Sequence, residues 1–201
     1  MIIKDENGYI VDTENFEKEE QDLASKYILE NDIVLELGAR YGSVSIVVNK
    51  ILDNKTNHVV VEPDERVWEC LEENKISNDC HFNIIRGFIS NKKLNLTDIT
   101  SCWGYGTTSI EDTSSKIPSY TLTEIKEKYN LNFNVLIADC EGFLETFYDE
   151  NPSFFDNLRL IIFERDRPDK CNYDRIINIL SDKGYTNLLN CFQNVWMNTS
   201  Y

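Results

Sequence analysis

The sequence predicts an α/β protein built on an open, mostly parallel sheet that carries a C-terminal antiparallel pair and has helices on both faces. Three observations predict it. An apolar run over 33–37 enters the glycine turn Gly38-Ala39-Arg40-Tyr41-Gly42 and is followed by a helical pattern, the opening unit of a doubly wound sheet. Short apolar strands then alternate with helical stretches, a rhythm that right-handed crossovers convert into parallel pairing. Two late strand-like runs, 185–192 and 195–199, are separated only by the turn-like Gln193-Asn194, which joins strands as a hairpin.

Each element has its own warrant. Residues 1–30 form an N-terminal helical segment: 14–30 is acidic, and Phe16, Leu23, Ala24, Tyr27 and Ile28 recur near helical spacing, so this helix is expected over the cleft or the sheet edge. After the first strand, Val44, Val47, Val48, Ile51 and Leu52 fall at i, i+3, i+4, i+7 and i+8, one buried face. Strand two is 58–62, a helix carries Val67, Trp68 and Leu71, and strand three is 81–86. Residues 91–120 break the rhythm, being polar, rich in Ser and Thr and marked by Gly104 and Gly106; they read as an insertion beside the cleft, with a hairpin as its natural form. Leu122, Ile125 and Tyr129 share a helical face, strands follow at 135–138 and 158–163, and a helix with Tyr173, Ile176, Ile177 and Leu180 in register stops at Gly184. Residues 1–201 read as a single domain.

Composition narrows the function. The formal charge is −15, from 35 acidic and 20 basic side chains, a field that repels polyanions, so nucleic acid is not expected as a partner. No apolar stretch approaches the roughly 18 residues that span a bilayer, and no membrane insertion is expected. The six cysteines are scattered without a Cys-x-x-Cys pair or a nearby histidine, as in reduced thiols, and the N-terminus lacks the order of a signal peptide; a cytoplasmic location is expected.

The glycine turn and the next strand end describe a nucleoside half-site. Gly38 lets backbone pass close to a ligand, and Glu62, closing strand two just before Pro63-Asp64, is placed to accept hydrogen bonds from two ribose hydroxyls. A dinucleotide fingerprint wants a third glycine, where this chain has Ser43-Val44. Glu36, two residues before Gly38, would repel a pyrophosphate but suits a ligand with a cationic end, such as S-adenosylmethionine. The cofactor-binding set expected is therefore Glu36, Gly38, Ala39, Arg40, Gly42, Glu62 and Pro63, with Gly87 and Phe88 after strand three, where adenine lies in this architecture; core packing is the other reading of Phe88.

Several segments together resemble the FkbM family of S-adenosylmethionine-dependent methyltransferases: Glu36-Leu37-Gly38-Ala39-Arg40-Tyr41-Gly42, Glu62-Pro63-Asp64, Thr121-Leu122-Thr123-Glu124-Ile125, and Asp139-Cys140-Glu141-Gly142 followed by Ile161-Ile162-Phe163-Glu164. Arg40, Thr123 and Phe143 stand where that family more often has Asn, Asp and Ala. The resemblance implies a Rossmann-like seven-stranded class I methyltransferase sheet and sugar O-methylation, with a hydroxyl of a glycan or glycosylated small molecule as acceptor, a deoxyhexose such as rhamnose among the choices. RNA ribose O-methylation uses a similar sheet but a Lys-Asp-Lys-Glu set whose lysines are missing here, and a non-catalytic module on the same fold is the remaining class.

A sugar hydroxyl needs help to become a nucleophile. Asp139 follows the fourth parallel strand and Glu164 the fifth, and ligands of open α/β sheets sit outside these carboxyl ends, so Asp139 is expected as base with Glu141 and Glu164 beside it. Two versions stay open: deprotonation by Asp139 alone, or assistance by Mg²⁺ or Mn²⁺ held by Asp139, Glu164 and Asp166. Trp103, Tyr105 and Tyr120, in or beside the insertion, either stack on the acceptor sugar or anchor the loop.

Overall fold

Strands covered on both faces are near-continuous apolar runs, and Val34–Leu37, His58–Glu62, Val135–Ala138 and Leu160–Glu164 are buried along their lengths, with only Glu164 partly exposed. The computed structural model describes residues 1–97 and 107–199. In chain order the elements are α1 (Lys18–Tyr27), β1 (Val34–Leu37), α2 (Ser43–Ile51), β2 (His58–Glu62), α3 (Trp68–Ser77), β3 (Asn83–Arg86), β4 (Phe88–Ile89), β5 (Leu94–Leu96), β6 (Ser109–Glu111), β7 (Ser119–Tyr120), α4 (Leu122–Tyr129), β8 (Val135–Ala138), α5 (Leu144–Glu150), β9 (Leu160–Glu164), α6 (Tyr173–Asp182), β10 (Tyr185–Asn190) and β11 (Gln193–Asn198).

Seven strands form one sheet in the order β10-β11-β9-β8-β1-β2-β3. β11 runs antiparallel to both neighbours and the other pairings are parallel. This is the Rossmann-like methyltransferase fold. Period-two alternation splits the strands between two layers: Leu35, Leu37, Val59, Val61, Leu136, Ala138, Ile161 and Phe163 face α4, α5 and α6, while Val34, Val135, Ile137, Leu160 and Ile162 face α1 and α2. Val60 packs with α3 residues Cys70 and Leu71.

The register positions the site. Leu37 lies opposite both Val61 and Ala138, and Ala138 opposite Phe163, so Gly38, Glu62, Asp139 and Glu164 emerge in one row at the carboxyl ends of four adjacent strands. The chain order reverses at β1, the switch point where such sheets open a crevice. At the opposite end of the sheet, Asp32, which is 1% exposed, accepts from Asn134 Nδ2 (2.9 Å), Arg159 Nε (3.0 Å), Leu29 N (2.8 Å) and the second Arg159 terminal nitrogen.

Two local expectations change. Gln193 and Asn194 are buried residues of β11, and the bend falls at Cys191-Phe192, because the Gln193 amide finds Glu164 and the Asn194 amide finds the Cys191 carbonyl. α5 was not foreseen; it follows the Glu141-Gly142 turn and buries Leu144 and Phe147. Within 91–120, β5 and β6 pair antiparallel, with Leu94 opposite Glu111 and Leu96 opposite Ser109.

Candidate functional site

Gly38 has φ +86°, and a Cβ there would lie 1.6 Å from the Asp139 carbonyl oxygen, so the turns after β1 and β8 touch through bare backbone. Only glycine permits both the left-handed conformation and this contact. One strand further on, the Glu62 carboxylate is cradled by backbone: Arg40 N donates to Oε2 at 2.7 Å and Asp64 N to Oε1 at 2.8 Å. Burial pushes Glu62 up to about 7, against the pull of those two amides. Each carboxylate oxygen keeps acceptor capacity beyond the one amide it takes. Asp64, buried yet held below the usual carboxylate range by Arg66, also receives Arg40 at 3.2 Å.

A cleft opens over this row. One side is lined by Leu37, Gly38, Arg40, Val61, Glu62, Pro63, Asp64, Phe88 and Ile89, and the other by Asp139, Cys140, Glu141 and Phe143, with Leu96, Thr107 and Ser109 of the hairpin segment and Glu17 completing it. Phe88 and Phe143 meet as tilted rings with centroids 6.2 Å apart. The cleft is thus an apolar slot with a few fixed polar groups, the common composition of a small-molecule site.

Beside the cleft lies a group of acids. Burial, then Glu164 and Glu17, drive the Asp139 carboxyl well above the usual range. Glu20, buried on α1, is raised by burial and by Asp139, and it hydrogen-bonds Glu164 as the protonated partner. Glu164 Oε2 also accepts from Gln193 Nε2 at 2.6 Å, and burial raises Glu164 despite both bonds. Glu17, with φ 49° at the start of α1, accepts from the Ser43 hydroxyl and is pushed up to about 7 by burial. A second, much smaller cavity is lined by Glu20, Asp139, Glu164 and Gln193 together with apolar residues.

The expected residues separate into those brought together and those not. Gly38, Arg40, Glu62, Pro63 and Phe88 line the cleft, as do Asp139 and Glu141; Glu164 is adjacent through the small cavity. Glu36 does not reach it. Leu35 and Leu37 face the cleft side of the sheet, so Glu36 faces α2, 2% exposed, where it accepts from Ser45 Oγ at 2.6 Å and meets His58 Nε2 at 2.8 Å. Ala39, Gly42 and Gly87 also serve packing rather than the cleft: Ala39 sits in the core beside α3, Gly42 against Leu71, and Gly87 against the Pro118 backbone. Asp166 is turned to Tyr173 OH (2.5 Å) and Arg167 N (2.7 Å), both on Oδ1. The close acidic trio among the described residues is instead Glu17, Glu20 and Asp139. Tyr120 packs against the core from the β4–β7 ribbon and does not line the cleft, while Trp103 and Tyr105 lie outside the described residues. Sequence reasoning missed Glu17 and Glu20: their i, i+3 spacing sets them on one side of α1 but does not tell a docked face from a solvated one.

No protein-family profile and no curated protein sequence matches the chain. Solved structures do. Precorrin-6y C5,15-methyltransferase from Geobacter metallireducens is 12% identical with a TM-score of 0.57, covering 94% of this chain and 92% of that one. A candidate O-methyltransferase from Klebsiella pneumoniae is 14% identical with a TM-score of 0.55, covering 90% and 80%. A candidate tRNA (m1A22) methyltransferase from Streptococcus pneumoniae, in complex with S-adenosyl-L-methionine, is 12% identical with a TM-score of 0.53, covering 90% and 72%. The shared fold is that of class I S-adenosylmethionine-dependent methyltransferases. Among the described residues no helix is long and apolar enough to cross a membrane.

Proposed function

We propose that the protein is an S-adenosylmethionine-dependent O-methyltransferase whose acceptor is a sugar hydroxyl of a glycan or glycosylated small molecule. The observation that carries the cofactor half is the Glu62 carboxylate, fixed by two backbone amides on the rim of an apolar slot one strand from Gly38. Glu62 takes the ribose hydroxyls, Phe88 and Ile89 flank the purine, and the Gly38 turn lets the amino-acid end pass toward Asp139. Bound there, S-adenosylmethionine supplies a methyl group made electrophilic by its sulfonium.

Asp139 holds the acceptor hydroxyl and takes its proton as the oxygen attacks; the products are the methyl ether and S-adenosylhomocysteine. Burial and the neighbouring acids raise its proton affinity, which makes it a strong acceptor once ionised. The sugar acceptor rests on the motif resemblance, and the −15 charge favours a neutral acceptor over RNA. Incubation with methyl-labelled cofactor and three acceptor sets (mono- and disaccharides, a tRNA pool, buffer alone) tests both halves. Label on a sugar is the expected result. Label on RNA would replace the acceptor class, and calorimetry without any cofactor binding would remove the enzyme.

A further inference from the structure

Glu17, Glu20 and Asp139 each place one carboxylate oxygen within 4.8 Å of the others. Oxygens on opposite sides of an ion bound at about 2.4 Å are about 4.8 Å apart, so this spread is that of one coordination sphere. Acidic residues gather on many surfaces without an ion, but here a separate unsatisfied group lines the cavity that Glu20 and Asp139 share. Gln193 is 3% exposed and lines the small cavity with Glu20, Asp139 and Glu164. Its Nε2 is committed to Glu164 at 2.6 Å, and its Oε1 is buried with no hydrogen-bond partner. A buried amide oxygen left without a donor is a ligand position in waiting.

The charges agree. Among the described residues no Lys, Arg or His forms an ion pair with Glu17, Glu20, Asp139 or Glu164. Every donor is oxygen, with neither imidazole nor thiolate among them, which selects hard ions over zinc or copper.

We propose that this pocket binds one divalent cation of the oxygen-preferring class, with Glu17, Glu20 and Asp139 as carboxylate ligands and Gln193 Oε1 on the inner side. It differs from the Asp139, Glu164 and Asp166 set that the sequence brings to mind, because two of its ligands come from α1. The cation compensates the acids at the point where α1 closes over the sheet. The site stands on its own donors and does not depend on the nature of the methyl acceptor.

Mn²⁺ alone is the probe. The full chain is titrated with it while free Mn²⁺ is counted by electron paramagnetic resonance, and S-adenosylhomocysteine binding is measured separately on the same samples. One ion per chain is expected, with a dissociation constant on the order of 10⁻⁴ M or tighter, displaceable by Mg²⁺. Glu20→Gln should weaken it about tenfold or more and Gln193→Leu about three- to tenfold, both with unchanged S-adenosylhomocysteine binding. Retention of no Mn²⁺ by the wild-type chain at ~1 mM overturns the site, as does equal retention by wild type and both variants. Should Glu20→Gln not fold, the wild-type titration and Gln193→Leu decide. Loss of S-adenosylhomocysteine binding with Mn²⁺ retained would count against the cofactor pocket and leave the cation site standing.

Discussion

The two ends of the sheet treat buried and half-buried acids in opposite ways. Below it, Asp32 has donors on both oxygens: Arg159 reaches each, and Asn134 and the Leu29 amide complete the set. Above it, Asp139, Glu164, Glu20 and Glu17 gather without an ion-paired base among the described residues, and burial first of all raises the proton affinity of each. A buried charge costs several kcal/mol unless it is matched. Where an acid serves only the fold, this chain matches it; the unmatched acids stand beside the cleft, where a ligand can do the matching. The same contrast separates two glutamates on neighbouring strands. Glu36 is consumed by Ser45 and His58 side chains, whereas Glu62 is held by backbone amides and lines the cleft.

Three substitutions break or sharpen this contrast. The largest effect is expected above the sheet: Asp139→Asn should lower turnover by about 10²–10⁴-fold while cofactor affinity, read by calorimetry, stays within a few-fold. A variant that turns over normally would take Asp139 out of the chemistry. Below the sheet, Asp32→Ala strands the Arg159 guanidinium and should cost about 3–5 kcal/mol in urea unfolding, with cofactor affinity unaffected once folded. The smallest effect is at Glu62. Its folded proton affinity is raised to about 7 from an ordinary 4.5, so its contribution to stability is fully present below about pH 4.5 and is lost as pH rises through about 7. Glu62→Gln should therefore flatten the wild-type decline in stability between those values by about 1–3 kcal/mol. The same variant should weaken S-adenosylhomocysteine about tenfold at pH 8, where the wild-type carboxylate is ionised, and less at pH 6. An unchanged pH slope in the variant would show that Glu62 is not the titrating group.

The strands and their polar ends were legible because a buried strand is a run of apolar residues that stops at a charged one: Glu62, Asp139 and Glu164 are all such stops. Glu36 was misplaced although period-two alternation sets it on the face opposite Leu35 and Leu37. Its partner, His58, sits diagonally across the ladder, opposite Val34, a relation that needs the register. Glu17 and Glu20 belong to the site only through the docking of α1, and no local pattern reports where a helix docks. Gln193 reads as a turn residue by composition; its burial follows from β11 lying between β9 and β10, a pairing made over long sequence separation.

The contact between Gly38 and the Asp139 carbonyl has a mechanical meaning. The turns after β1 and β8, the two halves of the crevice, are indexed to each other by main chain, independent of any side chain that mutation could trim. Even Gly38→Ala, the smallest enlargement, would wedge the halves apart. Under the proposed function, a broader acceptor range is therefore best sought at Leu96, Thr107 and Ser109, which wall the crevice from outside the main sheet and leave that alignment intact.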